Sequence, residues 1–432
     1  MRLGRTLRRI TLAALSLLAL AVALPPAQAP AASPSDAPAP SLRAAAQASL
    51  DKTLLAQLLA GRVSQVASGD TLQVNSQRFG LLQVEPTIVE PLQQAAESWL
   101  RQVKSPRAAI VLTESRTGRV LVMAGVRNGR LDPRVALEGD APAASLFKIV
   151  TATAAVEDAQ LDPLSHLYFT GRPHTLQRNQ VVQSNPRKST QATLRQSFAI
   201  SNNPVFAKLG VFHLGGELLT WYGKALGFES RLPFELPLGV SQLIDPSDSF
   251  TLAGMASGYN TETTISPVHA TLLAGLFVNQ GRLMEPYVVQ RVLGPNHELL
   301  YAGRPRSLGR IVSEQTCQAM RRMFEATITE GTARKAFNQL GKDSVLRHVA
   351  LGGKTGTMGG GPDHSELFEW FAGYGTDENT GHSLSVAVVV VHHSTRWANS
   401  KALARLMLRR AFQSPLPKPT HVVSSNRPAP PM

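Results

Sequence analysis

Three short groups of residues carry side chains and spacings that suit acyl transfer. The first is Ser145-Leu146-Phe147-Lys148, which opens the apolar run Ile149-Val150-Thr151-Ala152-Thr153-Ala154-Ala155-Val156. The run reads as a helix, and Pro142 suits a position near its start. Residues three apart on a helix share a face, so Ser145 and Lys148 become neighbours. A serine hydroxyl is a weak nucleophile that needs an adjacent base. Lysine becomes one when desolvation and nearby cations disfavour its ammonium form. A helix N-terminus at the same point offers N–H groups to a developing oxyanion. By itself the pattern is weak, because the chain holds a second copy, Ser49-Leu50-Asp51-Lys52, which reads as surface.

The second group is Ser201-Asn202-Asn203. A hydroxyl with an amide two residues on suits proton relay and a grip on a substrate amide. Ser424-Ser425-Asn426 has the same pattern, and Ser201 alone is equally a helix cap or a turn residue. The third group is Lys354-Thr355-Gly356-Thr357, after Gly352-Gly353. One cation and two hydroxyls suit a carboxylate, and glycine lets another backbone lie against the strand. A phosphate loop would need glycine where His348 stands, so that pattern fails. His392-His393 and Asp363-His364-Ser365-Glu366 lack metal-ligand spacing and read as a strand end and a polar loop. Trp370 reads as core.

The elements that must position these groups follow from periodicity. Pro91–Val103 has helical spacing, and Ala108–Thr113 and Arg119–Ala124 form a hairpin with Gly118 at its turn. Residues 146–345 read as mostly helix and loop. Strands return at Gly352–Thr357, Glu369–Gly375 and Leu384–His392. A closing helix spans about Asn399–Phe412, with Leu403, Leu406, Met407 and Ala411 on one face. Strands from both ends must meet in one sheet. The expectation is therefore an α/β fold of the α+β type, with a largely antiparallel central sheet and helices on both faces. In residues 48–85, Gly69-Asp70 separates two short runs, and a small hairpin is expected there.

Arg2, Arg5, Arg8 and Arg9 precede an apolar run, Ile10–Leu24, that Pro25-Pro26 ends. This is the layout of an export signal, short of the ~20 residues of a full membrane span. Ala27-Gln28-Ala29 resembles a cleavage site, but Pro30 follows it, so cleavage and an uncleaved anchor both stay open. Residues 1–29 thus read as signal or anchor, 30–47 as an Ala/Pro-rich linker, and 413–432 as a Pro-rich disordered tail. The 432 residues carry a formal charge of +14, which favours anionic surroundings. No zinc-finger or RNA-binding motif supports nucleic acid as the partner. A single cysteine, Cys317, excludes an intramolecular disulfide and reads as a small buried residue.

Taken together and in this order, Ser-x-x-Lys, Ser-x-Asn and Lys-Thr-Gly resemble the trio of penicillin-binding proteins. PTIVEPLQQAAESWL, AAIVLTESRTGRVLVMAG, ASLFKIVTATAAVE, SNNPVFAKLG, NTETTISPVHATLLAGLFVNQGRLMEPYVV and GGKTGT followed by EWFAGYG extend the resemblance to the transpeptidase domain over about 86–412. The resemblance implies a D,D-transpeptidase that cross-links peptidoglycan stem peptides, releases D-Ala and is acylated by β-lactams. It implies Ser145 as nucleophile, Lys148 as base, Ser201 as proton relay, Asn203 as substrate grip and Lys354 as positive charge. Thr355, Gly356 and Thr357 would bind the substrate, and the N–H groups of Ser145 and Thr357 would form the oxyanion hole. No metal or cofactor is implied. The setting implied is the periplasm or the outer face of the cytoplasmic membrane. Residues 48–85 leave no room for a glycosyltransferase domain, so a separate glycosyltransferase is an expected partner. The competing readings are a D,D-carboxypeptidase, a β-lactamase and a non-catalytic wall scaffold or sensor. Against the β-lactamase, Glu235-Leu236-Pro237-Leu238-Gly239 lacks the asparagine of the deacylating loop.

Overall fold

The computed structural model describes residues 50–361, 365–393, 395–396 and 398–413. Residues 1–49 and 414–432 lie outside them. So do the export signal, linker and tail read from sequence, as well as Ser49, Asp363, His364 and the 424–426 pattern.

The described chain opens with α1 (Lys52–Leu59) and α2 (Val63–Ser68), followed by β1 (Leu72–Ser76) and β2 (Gly80–Pro86). Gly69 does not separate two strands. It ends α2 in the left-handed region at φ 87°, as C-terminal glycines do, and the hairpin turn lies between Ser76 and Gly80. Next come α3 (Glu90–Gln102), β3 (Arg107–Glu114), β4 (Val120–Arg127) and β5 (Arg130–Leu131). The helical middle comprises α4 (Lys148–Glu157), α5 (Leu194–Ala199), α6 (Asn203–Leu209), α7 (Gly215–Ala225), α8 (Ser249–Ser257) and α9 (Pro267–Gly275). A second hairpin, β6 (Val289–Leu293) and β7 (Leu299–Ala302), precedes α10 (Glu314–Thr329). The chain closes with β8 (Val349–Gly360), β9 (Glu366–Asp377), β10 (Ser383–His392) and α11 (Ser400–Phe412).

Six strands form one antiparallel sheet in the order β8-β9-β10-β3-β4-β5, so strands from both ends meet as expected. Its central strands are buried throughout. Val386, Val388 and Val390 of β10 face the layer that holds Leu92 and Leu100 of α3 and Met407 of α11. Ala387, Val389 and Val391 face the opposite layer, with Phe147, Val268 and Phe324. A strand covered on both faces reads as a continuous apolar run rich in β-branched residues, and β10 does. On α11, Leu408 is buried and Leu406 is exposed, which corrects the apolar face expected for that helix. The 100° step per residue places 408 beside 404 and 411, while 406 falls opposite. Trp370 and Cys317 are core.

The β1–β2 hairpin is half of a second sheet, β1-β2-β6-β7. Lys52, read as surface, is nine-tenths withdrawn toward its partners. It donates to the Pro286 carbonyl at 2.8 Å and pairs with Glu285 at 2.6 Å. The motif copy it belongs to is a tie between α1 and the body of the fold.

Candidate active site

Ser145 stands on a 3-10 turn, Ala144–Phe147, that runs directly into α4. The sequence suggested an α-helical turn. Three residues per turn eclipse i and i+3 more closely than 3.6 do, and Lys148 Nζ reaches Ser145 Oγ at 2.8 Å. The turn is held from both sides. Ala143 N–H donates to Thr263 O at 2.8 Å, and Trp370 Nε1 donates to Pro142 O at 2.8 Å. Ala144 is at φ +50°, a costly value for a residue with a Cβ. Gly258 makes room for it, since a Cβ there would lie 2.0 Å from Ala144 O.

Asn202, not Ser201, caps α6 by accepting from Val205 N–H at 3.1 Å. Ser201 precedes the cap at φ +60°, so its hydroxyl is turned away from the helix. Lys354 Nζ donates to that hydroxyl at 2.8 Å and to Thr355 O at 2.8 Å. Thr355 Oγ1 meets Thr332 Oγ1 at 2.6 Å. β8, which carries Lys354–Thr357, is an edge of the main sheet, and an edge strand can accept an extended peptide alongside it. Gly356 does permit close approach of a backbone, but the neighbour found is the chain's own turn. A Cβ at 356 would lie 3.2 Å from Ala144 Cβ.

The structure thus brings Ser145, Lys148, Ser201, Asn203, Lys354, Thr355, Gly356 and Thr357 together. Lys148 is fully buried and has three partners: Ser145 Oγ at 2.8 Å, Asn203 Oδ1 at 2.6 Å and Ser257 O at 2.5 Å. The last two can only accept. A neutral amine has two N–H groups and one lone pair. With both N–H groups committed to Asn203 and Ser257, the lone pair is left for the Ser145 hydroxyl proton. Burial, and then the charge of Lys354, push the Lys148 pKa well below that of a free lysine. Burial lowers Lys354 to about 7. No carboxylate lines the cavity of about 340 Å³ above Ser145.

That cavity also presents residues that sequence reasoning missed. His174 is held there by a tight loop, since Asn203 N–H donates to the preceding Pro173 carbonyl at 2.6 Å. Burial, then Lys148, lower the His174 pKa. Tyr259, Thr332 and Lys401 also line the cavity. Lys401 is tied to Glu369 at 3.0 Å. These residues come from separate loops and have no shared spacing that would mark them. Tyr259 alone adjoins a quoted stretch, NTETTISPVHA, and that adjacency was the one available signal.

Comparison with known proteins gives a consistent result. The profile of the family described as "Penicillin binding protein transpeptidase domain" matches residues 108–409. The chain is 24% identical over 344 residues to the peptidoglycan D,D-transpeptidase PbpA of Mycolicibacterium smegmatis, covering 71% of this chain and 67% of that protein. It is 25% identical over 373 residues to the PbpA of Mycobacterium tuberculosis, covering 77% and 72%. Among solved structures, PBPA from M. tuberculosis superposes with a TM-score of 0.63 at 22% identity, covering 78% of this chain and 82% of that one.

Proposed function

The chain belongs to the penicillin-binding protein transpeptidase family, and on that premise we propose that it is a serine D,D-transpeptidase that cross-links peptidoglycan stem peptides. The observation that carries this reading is the environment of Lys148: a buried amine with two pure acceptors, one serine hydroxyl and no carboxylate. Such a lysine is a base at neutral pH.

Lys148 takes the Ser145 proton as Oγ attacks the carbonyl carbon of a D-Ala-D-Ala peptide bond. The oxyanion is held by the N–H groups of Ser145 and Thr357. Ser201, hydrogen-bonded to Lys354, passes the proton to the leaving nitrogen, the C–N bond breaks, and D-Ala departs. Asn203 grips the substrate amide, and Lys354, Thr355, Gly356 and Thr357 receive the terminal carboxylate beside edge strand β8. An acceptor amine then attacks the ester carbon, and its proton returns along the same path to Ser145 Oγ. A β-lactam enters the first half and stops at the ester.

The placing of residues 1–29 as signal or anchor, 30–47 as linker and 413–432 as tail belongs to the same proposal, with action in the periplasm or at the outer membrane face. Among the described residues no helix is long and apolar enough to cross a membrane. A separate glycosyltransferase would supply the glycan strands.

The deciding experiment supplies purified protein with polymerised, uncross-linked glycan. Cross-linked muropeptide dimers are expected, with D-Ala released in step. Shortened tetrapeptides alone, at every acceptor concentration, would replace transpeptidase by carboxypeptidase.

A further inference from the structure

A cavity of about 620 Å³ lies at the far end of β8 from the nucleophile. Its walls are apolar, with Ile328 of α10 and Val349 and Leu351 of β8 among them. A size of several hundred cubic ångströms, apolar walls and a few polar groups are the ordinary make-up of a small-molecule site.

Two observations point to what would fill it. Tyr374 lines the cavity and is 3% exposed. Its ring is stacked on Phe324 with centroids 5.7 Å apart, so its hydroxyl is fixed in place. That hydroxyl makes no hydrogen bond with any described residue. A buried hydroxyl without a partner costs stability, which a bound acceptor would remove. Second, Arg116 stands at the cavity and forms no ion pair with a described residue. Arg321, also in the lining, is part-buried and already anchored to Phe277 O at 2.7 Å and Glu314 at 3.0 Å. The facing acids, Glu325 and Glu378, are exposed on the rim, where water screens them.

We propose that this cavity is a second binding site, distinct from the one above Ser145, for a carboxylate carried on an apolar body. The Tyr374 hydroxyl donates to the carboxylate, Arg116 closes over it, and the apolar body lies against Ile328, Val349 and Leu351. The site shares two elements with the nucleophile's cavity. β8 carries Leu351 in one and Lys354 in the other. α10 carries Ile328 and is followed by Thr332, whose N–H donates to Ala199 O at 3.0 Å and whose hydroxyl meets Thr355. A ligand here therefore bears on the position of Thr355. The proposal does not rest on the role given to Ser145.

The test titrates 4-phenylbutyrate, with 4-phenylbutanamide as its neutral counterpart, into the full chain after penicillin treatment, with calorimetry as the readout. Saturable binding of the carboxylate is expected, weakened about tenfold or more by Tyr374→Phe and by Arg116→Ala, since each removes a charge-assisted contact. Ala350→Trp, which places a ring in the cavity from an exposed lining position, should abolish it. Equal binding of the amide, no saturable binding, or full affinity in Tyr374→Phe would overturn the proposal. Failure of penicillin to label the protein would instead overturn the proposed function and leave this titration interpretable on the untreated chain.

Discussion

The chain writes Ser-x-x-Lys twice, and the two lysines have opposite surroundings. Lys52 at the start of α1 is enclosed by oxygen that carries negative charge: Glu285 at 2.6 Å and Glu235 at 3.6 Å, with the Pro286 carbonyl at 2.8 Å. Glu235 is fully buried, and burial raises its pKa against the opposing pull of Lys52. It is held by Val288 N–H and by the Tyr301 hydroxyl. Lys148 is as deeply placed, yet meets a hydroxyl, an amide oxygen and a carbonyl, with Lys354 as its nearest charged influence. A buried lysine among carboxylates is a fixed cation and a structural clamp. One among neutral acceptors and another cation sheds its proton and becomes a base. The motif is the same; the charge of the neighbours decides what it does.

The sharpest way to test the contrast is to keep positive charge and remove basicity at both sites. Lys148→Arg should cost ~10⁴-fold or more in penicillin acylation, as Ser145→Ala should, because members of one catalytic unit fail together. Lys52→Arg should leave acylation unchanged. Stopped-flow labelling with a fluorescent penicillin measures all three, and a Lys148→Arg enzyme within tenfold of the parent would contradict the base assignment. Removing charge reverses the ranking in stability. Lys52→Ala leaves Glu235 and Glu285 buried without their cation and should destabilise the fold by ~3–5 kcal/mol, read from urea unfolding. Lys148→Met should not destabilise by that mechanism, since it leaves no carboxylate behind.

A third variant turns one site into the other. Asn203→Asp places a carboxylate where Oδ1 now stands 2.6 Å from Lys148 Nζ. It should raise the Lys148 pKa and move the acid limb of the acylation profile to higher pH. At neutral pH the loss should be ~10²-fold. An unmoved pH profile would show that Lys148 is not the group that titrates.

The smallest effect concerns stability against pH. Lys354 titrates near 7 in the fold instead of its ordinary 10.5, and Lys148 is lowered in the same direction. Between those values the unfolded chain binds more protons than the folded one, so stability must rise with pH across that window. Below about 7 both states hold the proton on Lys354 and its desolvation cost is fully felt. Thermal melts from pH 7 to 9.5 should therefore rise by a few degrees more in the parent than in Lys354→Met. Parallel curves would place the Lys354 pKa near its ordinary value.

Much of this was legible in the sequence. The hairpin of β3 and β4, the three late strands and the closing helix follow from apolar periodicity, which is set by burial on one face or two. The three motif groups follow from residue types that acyl transfer requires. Their order along the chain made the family resemblance visible, although each motif occurs more loosely elsewhere. The tertiary structure decided which copy of a motif is chemical. Ser145-to-Lys148 and Ser49-to-Lys52 have the same local spacing, and only contacts across more than fifty residues, to Asn203 and Ser257 in one case and to Glu235 and Glu285 in the other, separate a base from a clamp. It also decided that the nucleophile's turn is 3-10, forced by the fit of Ala144 against Gly258 and Gly356, and that His174 and Tyr259 share its cavity. Local sequence specifies dihedral preference and periodicity; the sign of the charge around a buried amine is a sum over residues distant in the chain, and no window of sequence contains that sum.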